Sequence, residues 1–95
     1  MRRLKVVPDD VAALIRGLHP DLKGKVRSAL GDIVEHPALG KQLRDELEGL
    51  LTCRVGRFRI VYRVAGPAIE IVAVGPRRTI YQETWRRVRK RSPSR

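Results

Sequence analysis

The apolar positions recur at helical spacing in the first part of the chain and alternate in the second. Leu4 to Val7 is a short apolar run ended by Pro8, which predicts a first strand at a sheet edge. Pro8-Asp9-Asp10 places a proline and two acids where a helix N-terminus accepts them, and Val11, Leu14, Ile15 and Leu18 then mark one helical face up to His19-Pro20. Asp21 is the expected N-cap of a second helix, with Leu22, Val26, Ala29, Leu30, Ile33 and Val34 at helical spacing and His36-Pro37 as its stop. Two such helices form a hairpin whose apolar faces need a cover. Between Ala38 and Leu50 the leucines Leu39, Leu43, Leu47 and Leu50 stand among charges, a pattern that fits either a helical turn or an irregular lead-in to a strand.

From Leu51 to Gly75 the period becomes two. Glycine at the first central position of a two-residue type II′ turn puts Gly56 and Arg57 between two antiparallel strands. That turn pairs Val55 with Phe58, Cys53 with Ile60 and Leu51 with Tyr62 on a buried face. Arg54 then lies opposite Arg59, and Thr52 opposite Val61, on an open one. A second turn at Gly66-Pro67 pairs Val64 with Ile69, Tyr62 with Ile71 and Ile60 with Ala73, and sets Arg63 against Glu70. After Gly75 comes the basic loop Pro76-Arg77-Arg78-Thr79, then a last helix over residues 80–91 with Tyr81, Trp85 and Val88 on one side. The expected fold is α+β: an N-terminal strand, a two-helix hairpin, a three-stranded antiparallel meander and a short C-terminal helix. Residues 1–91 form a single domain and 92–95 a basic disordered tail.

Composition narrows the function. The 95 residues hold 21 Lys+Arg against 10 Asp+Glu, a formal net charge of +11, so a polyanion or an acidic protein is the expected partner. Aromatic residues are 4% of the chain, too few for a row of base-stacking rings. Cys53 falls on the buried face as a small apolar residue, and with one cysteine no internal disulfide forms. His19 and His36 each precede a proline without a partner at ligand spacing, so no metal and no cofactor is expected. No apolar run approaches membrane-spanning or signal-peptide length, which predicts a soluble, cytoplasmic protein with no membrane partner.

Arg54 opposite Arg59 is the anomaly, because like charges directly across a strand pair destabilise it by up to ~1 kcal/mol. An anion lying between them removes the repulsion. The alternative is two solvated arginines on an open sheet face.

The element order, the run L-E-G-L-L-T-C-R-V-G-R-F-R-I-V-Y and the segment V-G-P-R-R-T-I-Y resemble the RelE/ParE superfamily of type II toxin–antitoxin toxins. The most specific parts are Gly49, the hairpin Arg54-Val55-Gly56-x-Phe58-Arg59-x-x-Tyr62 and Gly75-x-Arg77-Arg78-x-x-Tyr81, the last closer to the RelE branch than to the gyrase-directed ParE branch. The resemblance implies a RelE-like fold and a toxin that cuts messenger RNA on the ribosome as a metal-independent endoribonuclease, an mRNA interferase that inhibits translation. It assigns catalysis to Arg54, Arg59, Arg77 and Tyr81, with Arg57, Arg63 and Arg78 as further RNA-binding positions. It also implies an acidic cognate antitoxin, with DNA reached only through the antitoxin complex. Thr52 stands where some relatives carry a lysine.

RNA is cut without metal or water when its 2′-OH attacks the adjacent phosphate, leaving a 2′,3′-cyclic phosphate and a 5′-OH. Arginine cannot be the base, but its planar fork suits the phosphate oxygens as they gain charge, and Tyr81 remains for proton transfer. Two other readings stay open: a non-catalytic inhibitor of DNA gyrase, and a domain that only docks on RNA or the ribosome.

Overall fold

The computed structural model describes residues 4–91, so the tail expected over 92–95 lies outside the described residues. The chain forms β1 (Leu4–Val6), α1 (Asp9–Arg16), α2 (Pro20–Glu35), a 3₁₀ turn (Pro37–Leu39), β2 (Lys41–Gln42), a second 3₁₀ turn (Asp45–Leu47), β3 (Leu51–Val55), β4 (Phe58–Ala65), β5 (Ala68–Pro76) and α3 (Ile80–Arg91). The strands make one five-stranded sheet in the order β1-β5-β4-β3-β2. β1 runs parallel to β5 at one edge, and the remaining neighbours are antiparallel. The meander is therefore the centre of a wider sheet. Its extra edge strand, β2, comes from the stretch whose leucine pattern fits two readings.

Local chemistry explains the helix ends. Asp9 and Asp10 sit in the first turn of α1, where carboxylates meet the positive end of the helix dipole. The cap of α2 is His19, not Asp21: Nδ1 of His19 accepts a hydrogen bond from the Asp21 backbone N–H at 3.3 Å, and Pro20 occupies the first helical position. Proline there fixes a helical φ and has no N–H to satisfy, which moves the cap back to the histidine and leaves Asp21 in the first turn. At the other end of the chain, Arg87 of α3 reaches Asp10 at 2.6 Å and Glu83 at 2.9 Å. Hydrogen bonding to the Arg87 guanidinium holds the Asp10 carboxyl below its ordinary range.

Both sheet faces are covered. Val11, Ile15, Val26, Leu30 and Ile33 of α1 and α2 pack on Val55, Ile60, Tyr62, Ile69, Ile71 and Val74, with Cys53 partly buried against them. Burial pushes the Cys53 thiol above its usual value. The face expected to be open carries a second core of Leu50, Val61, Val72, Ala73 and Ile80, flanked by Leu43, Leu47 and Val88. On α3 the packing face runs through Ile80 and Thr84, both fully buried, while Tyr81 and Trp85 are each 39% exposed, so the expected Tyr81–Trp85 face points away from the core.

A bulge serves both cores. The β3–β4 register is the expected one throughout, and Val64↔Ile69, Arg63↔Glu70 and Tyr62↔Ile71 also hold. The ladder then shifts between Val61 and Tyr62, so that Ala73 faces Val61 and Val74, not Ala73, faces Ile60. One extra residue on β5 lets Val72 and Ala73 both join the second core.

Tyr62, fully buried on β4, donates its hydroxyl to the Pro37 carbonyl at 2.7 Å and accepts the Gly40 N–H at 2.8 Å. Gly40 has an extended backbone that any residue adopts, yet a Cβ there would lie 2.5 Å from the Tyr62 hydroxyl and 3.0 Å from the Thr52 carbonyl. In the middle of α2, by contrast, a Cβ on Gly31 would meet nothing within 4 Å. The same substitution at the two sites should therefore act in opposite directions. Gly31→Ala should raise stability by about 0.5–1 kcal/mol through helix propensity, and Gly40→Ala should lower it by about 1–3 kcal/mol through overpacking, as read from paired thermal melts.

Candidate functional site

The site begins beside the β3–β4 turn, where the start of α3 meets the sheet. Arg54 on β3 and Arg59 on β4 face each other across the ladder, and directly paired residues share a face. Arg54 is exposed and Arg59 half-buried. Because of the bulge, the residue opposite Arg59 on the other side is Gly75, which sets no side chain beside the guanidinium. Arg59 then shares a cleft of about 610 Å³ with Lys41, Gln42, Leu43, Arg44 and Tyr81. Tyr81 arrives from the first turn of α3.

The charge balance of this cleft is one-sided. No carboxylate lines it; elsewhere Glu70 is engaged by Arg63, Glu83 by Arg86 and Arg87, and Asp10 by Arg87. Among the described residues, Arg54, Arg59, Lys41 and Arg44 make no ion pair. The Nε of Arg59 is buried without a hydrogen-bond partner, as is the Oγ1 of Thr52 on the same face. A buried donor left unmatched costs about 1–3 kcal/mol and is uncommon in folded proteins. The Arg59 guanidinium lines a cleft rich in cations, and the arginine fork matches the geometry of a phosphate.

The expected site residues separate into two groups. Arg54, Arg59 and Tyr81 come together at the cleft or on its bordering face. Arg77 and Arg78 lie exposed in the turn before α3 and do not line the cleft. That turn is stapled to the hairpin tip, since the Arg77 backbone N–H donates to the Arg57 carbonyl at 3.0 Å, and Arg57 itself is exposed. Arg63 stands apart, with its guanidinium hydrogen-bonded to Glu70 across the ladder.

Lys41, Gln42, Leu43 and Arg44 are not legible as site residues in the chain. A two-residue strand is too short to show alternation, and the only signal is two cations, Lys41 and Arg44, just ahead of a strand that already carries Arg54.

Compared with known proteins, residues 8–81 match the family model described as the ParE toxin of type II toxin–antitoxin systems, parDE. Among solved structures, the toxin–antitoxin complex RelBE2 from Mycobacterium tuberculosis is 27% identical over 81% of this chain and 100% of the matched chain, with a TM-score of 0.70. An arginine-substituted mutant of the Escherichia coli toxin RelE in the free state superposes with a TM-score of 0.75 at 18% identity, covering 98% of this chain and 100% of the other. The YoeB–YefM complex from Staphylococcus aureus matches 79% of this chain and 97% of its own at 21% identity and a TM-score of 0.65. At those last two identities the likeness is one of fold. Against curated protein sequences there is no match.

Repulsion between Arg54 and Arg59 gives a direct expectation. Arg54→Gln should stabilise the free protein by a few tenths to ~1 kcal/mol at low ionic strength. The gain should shrink between about 0.01 M and about 1 M salt, where the screening length falls from ~30 Å to ~3 Å. Melting curves of parent and variant across that range check it.

Proposed function

Because the chain belongs to the ParE toxin family of type II toxin–antitoxin systems, we propose that it is the family's RNA-cleaving kind, a ribosome-dependent messenger RNA endoribonuclease. The observation that carries the reading is the shared cleft of Arg59 and Tyr81, lined by cations and free of carboxylates. The substrate's 2′-oxygen attacks the scissile phosphorus and the bond to the 5′-oxygen breaks. The 2′-OH loses a proton and the 5′-oxygen gains one. Arg59, which lines the cleft, offers its guanidinium fork to the non-bridging oxygens, and Arg54 shares the charge from the next strand. Among the residues lining the cleft only Tyr81 and Lys41 have a proton that can be moved, since arginine does not titrate in this range, and proton transfer is assigned to the phenol. Arg77, on the turn stapled to the hairpin, contacts the RNA backbone outside the cleft, with Arg57 and Arg78 beside it.

The partner that holds the toxin in check is an acidic antitoxin. Support comes from the solved relatives, several of which are toxin–antitoxin complexes, and from the net charge of +11. Gyrase inhibition without catalysis is the second reading, favoured by the name of the matched family model, and it gives Tyr81 no chemical task.

Single-turnover cleavage on saturating programmed ribosomes tests the assignment. Arg59→Ala should slow the cleavage step about a hundredfold or more, the loss of one transition-state donor, ~2–4 kcal/mol. Tyr81→Phe should slow it while leaving the melting temperature unchanged, because Tyr81 lies outside both cores. Tyr81→Phe cleaving at the parental rate removes the tyrosine from the chemistry.

An acidic antitoxin segment covering the Arg54/Arg59 face gains affinity by relieving their repulsion. Its dissociation constant, measured by calorimetry across a salt series, should rise steadily with added salt.

A further inference from the structure

We propose that residues 41–44 form the second wall of an RNA-backbone groove, in which Lys41 and Arg44 bind the phosphates flanking the one that Arg59 engages. The identity of the ligand rests on the endoribonuclease reading; the groove itself rests on four structural observations. First, Lys41 pairs with Thr52, and Thr52 shares its face with Arg54 and Arg59. Lys41 therefore stands on the same face as the arginine pair, one strand further out.

Second, the segment is held at both ends by hydrogen bonds. The Tyr62 hydroxyl fixes Gly40 on one side, and the Leu43 backbone N–H donates to the Leu50 carbonyl at 2.9 Å on the other. The Arg44 carbonyl is occupied in turn by the Leu47 N–H at 3.0 Å. Two exposed cations on a backbone pinned in this way are presented toward the cleft at little further ordering cost. Third, the next residue, Asp45, has a φ of 58°, a left-handed conformation that costs on the order of 1 kcal/mol for a non-glycine residue. That strain turns the chain sharply just after Arg44.

Fourth, the cleft is larger than one phosphate requires. At about 610 Å³ it falls within the roughly 300–1,000 Å³ of sites that take drug-sized molecules, so there is room for a nucleotide with a phosphate on either side. With no carboxylate in the lining, Lys41 and Arg44 are available to do what Arg59 does from the opposite wall.

The test uses a fluorescently labelled, fully 2′-O-methylated RNA oligonucleotide, which binds without being cut, on the free protein across a salt series. Cleavage on programmed ribosomes is measured in parallel. Removing one cation that neutralises a phosphate of a single strand should lower the slope of log K against log salt by about 0.7, so the double variant Lys41→Gln/Arg44→Gln should lower it by about 1.4. Lys41→Arg should keep the parental slope. In cleavage, the double variant should need about tenfold more ribosomes for half-saturation with a maximal rate within about threefold of parent, the pattern of weakened uniform binding. The control is Lys25→Gln/Arg27→Gln, the same charge change at exposed positions of α2, which should leave both quantities at parental values. If the slope depends on Lys41 and Arg44 while the parent cuts no message, the groove stands and the endoribonuclease reading fails. If the parent cuts and the double variant matches it in slope and half-saturation, or the control falls by as much, the groove is overturned and the endoribonuclease reading stands.

Discussion

The hydroxyl of Tyr62 ties the helical layer to the working end of the sheet. Among the described residues Tyr62 is the largest side chain with no exposure. Its ring fills the core between the sheet and α1–α2, and its oxygen bridges the Pro37 carbonyl and the Gly40 N–H. Burial raises the phenol above its ordinary pKa, so the group stays protonated and remains a donor at neutral pH. Gly40 admits this close approach because it has no side chain. Once that point is fixed, β2 pairs with β3 and carries Lys41 and Arg44 to the cleft beside Arg59 and Tyr81.

The second constraint is that a sheet of this size is covered on both faces. The bulge on β5 allows Ile69, Ile71 and Val74 to serve one core while Val72 and Ala73 serve the other. It also brings Gly75 opposite Arg59. The second core and α3 cover most of the face that carries the arginines, and the part left open is where positive charge accumulates. Glu70 and Glu83 are spent on Arg63, Arg86 and Arg87, no carboxylate lines the cleft, and the cleft cations keep their repulsion. Unpaired charge of this kind costs stability in the free protein and is relieved by an anionic ligand, a pattern expected of a functional site.

Much of this is legible in the chain. Turn chemistry at Gly56 and Gly66 sets the registers of both hairpins as far as Tyr62, because glycine at these turns leaves few alternatives; both glycines have positive φ, 59° and 60°. Arg54, Arg59 and Tyr81 follow from those registers and from the family likeness. The bulge stays hidden because simple alternation explains the first half of β5, although the unbroken run Ile71–Val74 is what a strand buried on both faces looks like. The buried face of α3 differs from the expected one because large aromatic rings are natural candidates for a core. The helix instead buries Thr84, whose hydroxyl is satisfied by the Ile80 carbonyl at 2.7 Å, and leaves the rings of Tyr81 and Trp85 partly exposed. Arg89 stacks over Trp85 at 4.5 Å.

The endoribonuclease proposed above carries a particular product chemistry: internal attack by the 2′-oxygen, with no water consumed. The central claim is therefore tested most directly by the ends left on a message. A defined message translated in a purified system with the toxin is recovered, and its fragments are mapped by ligation methods that discriminate end groups. The account predicts discrete cuts within the ribosome-bound region, each leaving a 2′,3′-cyclic phosphate upstream and a 5′-hydroxyl downstream. Intact messages, or cuts bearing a 3′-hydroxyl and a 5′-phosphate, would contradict it.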